Sequence, residues 1–270
     1  MLMSRSVGLV AVVLLAACRN LEAPAPSQAT RLVVHGALSP VSVVQTILVY
    51  RARTGLPNTV GRTGEGDDEP VADAQVTMTA PDGTTYAAYA AGRPAEPSGD
   101  CCEPGIYFFE RALGGPALTP GGTYTLRIRT PLGEEVTGTT TIPEGPSALT
   151  VPSAHVFFRV RDTLRLSWPR VAGAASYEII IGMPQFGDEY RTFTDTSFTM
   201  AGTALTIAGD DIFQAGQQVD VVVSAVDVNY YDYYRSQSDP FAGAAPSHLT
   251  DAVGVFGSVT PLFHTMLQVR

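Results

Sequence analysis

The chain contains no lysine. All 17 of its basic residues are arginines, against 26 Asp and Glu, giving a formal net charge of −9. A lysine-free acidic surface argues against nucleic acid and against a basic patch on anionic lipid as binding modes. Charged residues of both signs are scarce, at 16 %. No stretch approaches the length needed to cross a bilayer, and no long amphipathic helical period is visible. The four histidines, His35, His155, His248 and His264, are scattered without an i,i+2 or i,i+4 pair that would suit a metal. A G-x-S-x-G elbow, an H-E-x-x-H pair and a phosphate loop are all missing. Asp210-Asp211 follows Ala208-Gly209 and reads as a turn, not as a catalytic carboxylate pair. The expectation is a chain without catalytic residues, metal or other cofactor.

What is present points to strands. Glycine (26) and proline (20) are plentiful, and Thr and Val are frequent, a mixture that suits many short strands joined by tight turns. The chain opens differently. Arg5 precedes the apolar run Val7 to Ala17, which closes as Leu15-Ala16-Ala17-Cys18. A positive start, a short apolar core and small residues before a cut describe a secretory signal peptide over 1–17. Eleven residues of helix reach only about 16 Å, well short of a bilayer core of about 30 Å. The cysteine at the cut resembles the lipidated first residue of a bacterial lipoprotein. That resemblance implies an acyl (palmitate-type) anchor at Cys18, and the Arg19 that follows implies sorting to the outer membrane, on its periplasmic face or at the cell surface. Acylation with two or more chains makes a stable anchor at ~0.8 kcal/mol per buried methylene. Without residues 1–17 the charge becomes 16 minus 26, or −10. Residues 18–30 contain Ala-Pro-Ala-Pro and no period, so they read as a flexible tether of roughly 35 Å.

Residues 31–145 read as one antiparallel β-sandwich. Leu32 and Val34, then Ile47 and Val49, sit at strand spacing. Ala74 to Thr79 alternates with period two and ends in the turn Ala80-Pro-Asp-Gly83. Gly105 to Phe109, Thr123 to Arg129 and Val136 to Ile142 complete the series, with Tyr124, Leu126 and Ile128 on one face. This order resembles the Ig-like or prealbumin-like modules of secreted bacterial proteins. Two features interrupt it. The insert 54–70 carries Glu65, Asp67, Asp68 and Glu69 without the ordered spacing of a calcium loop, so a solvated loop is expected. Cys101 and Cys102 are adjacent and, with Cys18 acylated, are the remaining thiols of an oxidising compartment. A vicinal disulfide is favoured, with pairing to another chain as rival and free thiols third. Zinc is disfavoured because no second Cys or His pair stands at ligand spacing.

Residues 146–270 read as a second sandwich. The run L-x-W-x-x-V-x-G-A-x-x-Y-x-I, from Leu166 through Trp168, Val171 and Tyr177 to Ile179, resembles strands B and C of a fibronectin type III domain. It implies a buried Trp168 plate faced by Tyr177 and Ile179. Tyr190 to Phe193, Ser197 to Met200 and Gln218 to Asp227 fit the strands that follow, and Ala252 to Ser258 is the last clear one. Before it lies Asn229-Tyr-Tyr-Asp-Tyr-Tyr-Arg-Ser236, expected as part of a long polar connection. Its Tyr230, Tyr231, Tyr233 and Tyr234 are the candidate contact residues: an aromatic platform for a protein or a sugar, or half of them packed onto the sandwich.

The order of these parts (a lipobox, V-V-H-G-x-L-S-P, G-x-T-Y-T-L-R-I-x-T-P, W-x-x-V-x-G-A-x-x-Y, a Tyr-rich stretch and G-V-F-G) resembles a family of Gram-negative outer-membrane lipoproteins known as a domain of unknown function. Its members are often encoded beside TonB-dependent transporters. The resemblance brings no catalytic residues, and neither the Cys101-Cys102 pair nor the acidic insert belongs to its pattern. It implies a membrane-anchored, non-catalytic binding or accessory subunit whose partner is an outer-membrane transporter. The alternatives are an independent glycan-binding or adhesive module, and a hydrolase whose site is built from distant loops.

Overall fold

The structure is a computed structural model that describes residues 31–52, 69–90, 104–145, 154–183, 188–205, 209, 211–237 and 246–270. The period-two alternation builds strands as the sequence implies, and the fold is all-β. The first nine strands are β1 (Arg31–Leu38), β2 (Val44–Ala52), β3 (Glu69–Pro70), β4 (Gln75–Thr79), β5 (Thr85–Ala87), β6 (Tyr89–Ala90), β7 (Ile106–Glu110), β8 (Thr123–Arg129) and β9 (Glu135–Thr141). The second half supplies β10 (Ala154–Phe157), β11 (Thr163–Ser167), β12 (Ser176–Met183), β13 (Asp188–Thr194), β14 (Ser197–Ala201) and β15 (Gln218–Val226). A helix, α1 (Val228–Gln237), and an 18-residue strand, β16 (Ala252–Val269), complete the chain.

One ten-stranded sheet runs through the molecule in the order β13-β12-β15-β16-β1-β2-β7-β6, with β10 also on β16 and β3 on β2. The four-stranded sheet β5-β4-β8-β9 covers one half, and the pair β11-β14 covers the other. Two cores result. The first contains Val34, Ile47, Met78, Leu126, Ile128 and Phe256; the second contains Ile179, Ile181, Phe213, Val221, Val223 and Val269. Each such side chain stabilises the fold by about 1.5–3 kcal/mol through burial.

The two sandwiches share β16. Its first part runs parallel to β1, from Leu32↔Ala252 to Leu38↔Ser258. Its later part runs antiparallel to β15, from Val226↔Val259 to Gln218↔Gln268. The strand expected to end at Ser258 therefore continues to Val269, and its first part pairs with a strand of the 31–145 half. At the crossover Ser224 pairs with Pro261 and Val223 with Phe263, which leaves Leu262 as the extra residue of a bulge. Pro261 has no N–H for the ladder, so a bulge is where a strand tolerates it. Gly254 is required beside β1: its φ is +108°, and a Cβ there would lie 2.1 Å from the Val34 carbonyl oxygen.

Candidate functional site

The Tyr-rich stretch is not a loop connection. It is the helix α1, and it lies on the outer face of the ten-stranded sheet where the two halves meet. Register sets what it covers. Glu178 pairs with Phe193 on one side and Ser224 on the other, while His35 pairs with Val255, and paired residues share a face. Tyr230 of α1 reaches Glu178, Tyr233 reaches His35, and Tyr231 lies against Phe193. Gly257 lets the helix come close: a Cβ there would meet the Tyr230 nitrogen at 2.8 Å.

Asp227 caps the helix. Its Oδ1 accepts the backbone N–H groups of Tyr230 and Ser258, both at 3.0 Å, and its Oδ2 accepts the Thr140 hydroxyl at 2.6 Å. Asn229 donates to the carbonyls of Thr139 at 2.8 Å and Phe256 at 2.9 Å. The first turn of α1 is thereby tied to β9 and to the β1 half of β16. The Tyr230 hydroxyl donates to both Glu178 oxygens, at 3.0 and 3.1 Å, which ties the same helix to β12 of the second sandwich. Arg191 approaches Glu178 at 3.3 Å. Burial pushes the Glu178 carboxyl above its usual range despite that arginine, and burial raises the Tyr230 and Tyr234 phenols.

The four candidate tyrosines divide by exposure. Tyr230 (6 %) and Tyr233 (4 %) are buried, so a platform of all four does not exist; Tyr231 and Tyr234 are half-exposed. The Arg235 guanidinium lies 5.2 Å from the Tyr231 ring centre and Arg191 lies 5.3 Å from that of Tyr234, both within cation–π reach. Asp232 pairs with Arg235 at 3.2 Å and meets His248 at 3.1 Å. Sequence reasoning missed Glu178, Arg191, Phe193 and Asp227, which make the setting of this surface. The Asp cap ahead of tyrosines at i, i+3 and i+4 was the available signal.

The other singled-out residues are placed as follows. Trp168 is half-buried, not a fully buried plate, and its ring meets buried Tyr177 edge-on at 5.5 Å. Asp211 pairs with Arg159, and His264 meets Asp220 at 2.9 Å. His155 is exposed on β10. Among the described residues no three His, Cys, Asp or Glu converge as a metal site would require. No helix among them is long and apolar enough to cross a membrane. Cys18, Cys101, Cys102, Asp210 and the acidic Glu65, Asp67 and Asp68 lie outside the described residues, while Glu69 opens β3.

The family model for a Domain of unknown function (DUF4249) matches residues 19–261. Among solved structures the chain is similar to a two fibronectin type-III domain segment from chicken tenascin, at 13 % identity and a TM-score of 0.23, covering 73 % of this chain and 91 % of that one. No curated protein matches it. The chain belongs to the DUF4249 family.

Proposed function

We propose that this member of the DUF4249 family is a membrane-anchored, non-catalytic binding or accessory subunit. In this reading Cys18 carries the lipid, residues 19–30 form the tether, and the partner is an outer-membrane transporter of the TonB-dependent type. The observation that supports a binding role is the surface around Tyr231. Tyr231 stands edge-on to Phe193 at 5.3 Å, with Arg235 over its ring and Arg191 over neighbouring Tyr234. Tyr and Arg are enriched among the residues that dominate interface energetics. Here Tyr231, Tyr234 and Arg235 ride on a helix whose Tyr230 and Tyr233 are buried, so little side-chain freedom is left to lose on binding.

The test is recovery of the partner. The chain, tagged at its C-terminus, is extracted from its own outer membrane in mild detergent and its companions are identified by mass spectrometry. A β-barrel transporter is expected in stoichiometric amount. The double variant Tyr231→Ala, Arg235→Ala is expected to lower that recovery at least about tenfold, with a melting-temperature shift of no more than about 4 °C. Undiminished recovery removes this surface from the interface. The lipoprotein recovered alone, with polysaccharide bound by its soluble part, transfers the reading to the glycan-binding alternative.

A further inference from the structure

Among the described residues the two sheets of the second sandwich are unequal in width. Among these residues five strands, β13, β12, β15, β16 and β10, form one of its sheets, and β11 and β14 face them. Phe263 shows the consequence. It pairs with Val223, whose side chain is fully buried in the core, so both project toward the opposite sheet; yet Phe263 remains 43 % exposed. A groove of ≈ 580 Å³ lies there, bounded by Trp168, Leu262 and Phe263 and by the strand residues Arg165, Leu166 and Ser167. That volume falls in the range of ligand sites, about 300–1,000 Å³.

The groove follows the backbone edge of β11. Side chains of successive strand residues alternate between faces, so a groove that touches residues 165, 166, 167 and 168 in sequence runs along the strand edge. The edge carries hydrogen-bonding groups. Trp168 N–H donates to the Thr196 carbonyl at 3.1 Å and Gly202 N–H to the Asp162 carbonyl at 3.0 Å, which places the even-numbered residues of β11 in the ladder with β14. By alternation the N–H and C=O groups of Thr163, Arg165 and Ser167 point the other way. Among the described residues β11 pairs with β14 alone. Arg165 has no ion-pair partner among them, and no carboxylate lines the groove.

We infer that this edge docks an extended polypeptide ending in an apolar residue with a free carboxylate. The strand would add to β11 at Arg165 and Ser167, the terminal side chain would lie against Trp168 and Phe263, and the carboxylate would meet Arg165. Backbone pairing, an apolar seat and a cation with no carboxylate partner among the described residues are the three features present. A purely apolar ligand would cover the Arg165 and Ser167 backbone groups without partners, at a cost in desolvation that a strand avoids. This site is on the β11 edge, with none of the α1 residues, so it stands independently of the contact around Tyr231.

Trp168 is the sole tryptophan and reports on the groove directly. The full chain carrying Cys18→Ser is titrated with an acetylated hexapeptide of alternating threonine and valine that ends in phenylalanine, as the free acid and as the amide. The free acid is expected to change Trp168 emission with a Kd of about 100 μM or tighter, and the amide to bind at least about tenfold more weakly. Arg165→Gln should bring the free acid down to the level of the amide. Ser167→Pro should abolish binding, because it removes an outward N–H and leaves the β14 ladder intact. No saturable change up to about 1 mM, or equal binding of acid and amide, overturns the inference. Dodecanoate binding as tightly as the peptide also overturns it and assigns the groove to small amphiphiles.

Discussion

Replacing Asp227 with alanine is expected to destabilise the protein by about 3 kcal/mol, to lower its melting temperature by about 10 °C, and to release the first turn of α1. Asp227 is 4 % exposed, and its carboxylate receives three hydrogen bonds from three different elements: α1 through Tyr230, β16 through Ser258 and β9 through Thr140. Ser258 and Tyr230 are themselves buried, so the substitution strands two backbone N–H groups, while the Thr140 hydroxyl keeps the Ser258 Oγ at 2.9 Å. Each such orphan costs roughly 1–3 kcal/mol, and the lost cap adds about 1 kcal/mol. One opposing effect bounds the loss. Burial holds the Asp227 carboxyl above its ordinary range despite the three donors, so the native state bears a desolvation cost that alanine removes. Thermal unfolding together with hydrogen exchange of the α1 amides checks both parts. A melting temperature within about 2 °C of the parent would show that the joint is held elsewhere. Asp227→Asn should fall between the two, since it keeps the volume but turns one acceptor into a donor.

This joint was also the part least visible in the sequence. The β8 alternation foretold Tyr124, Leu126 and Ile128 on the buried face, and all three are buried. The run from Leu166 to Ile179 likewise became β11 and β12, because period two survives wherever one face is covered. The helix was hidden for a physical reason. Asn and Tyr are weak helix formers, so residues 228–237 carry little intrinsic helical signal. Contacts with His35, Glu178 and Gly257, all far away in sequence, settle their conformation. The shared strand was hidden for another reason. Gly254 and Gly257 break its alternation, and Pro261 reads as a stop, although all three serve the crossover between sheets. The parallel register of Leu32 on Ala252 joins the two ends of the described chain, a pairing that no local pattern announces. Half of the aromatic platform then went into fixing that crossover, which left Tyr231 and Tyr234 at the surface.

Acid should weaken the same joint through His35, and His35→Gln should remove that sensitivity. The imidazole lies on the α1-facing side of β1, with Nε2 2.7 Å from the Tyr233 hydroxyl and its ring edge-on to Tyr233 at 4.9 Å and to Tyr234 at 6.3 Å. Burial pushes it down from 6.5 to about 4. For a depressed pKa, stability is fully present above the unfolded value and is lost as pH falls through the folded value, because the unfolded chain takes up the proton first. The window therefore runs from about 6.5 to 4. A gap of 2.5 units, at 1.36 kcal/mol per unit, bounds the loss at about 3 kcal/mol. The two buried carboxyls near α1 work in the opposite sense. Glu178 and Asp227 are raised by burial, so the folded state binds their protons more readily, and they favour folding as pH drops. The parent's pH profile is the sum of these effects, whereas the difference between parent and His35→Gln isolates the imidazole, since glutamine still hydrogen-bonds Tyr233 but does not titrate. Urea unfolding of both proteins near neutral pH and again near pH 4 decides the matter. Near neutrality the variant should lie within about 1 kcal/mol of the parent. Near pH 4 the parent should have lost up to about 3 kcal/mol relative to it. A difference that stays constant with pH would mean that the His35 imidazole accepts a proton in the folded state as easily as in the unfolded one, and that α1 does not shield it.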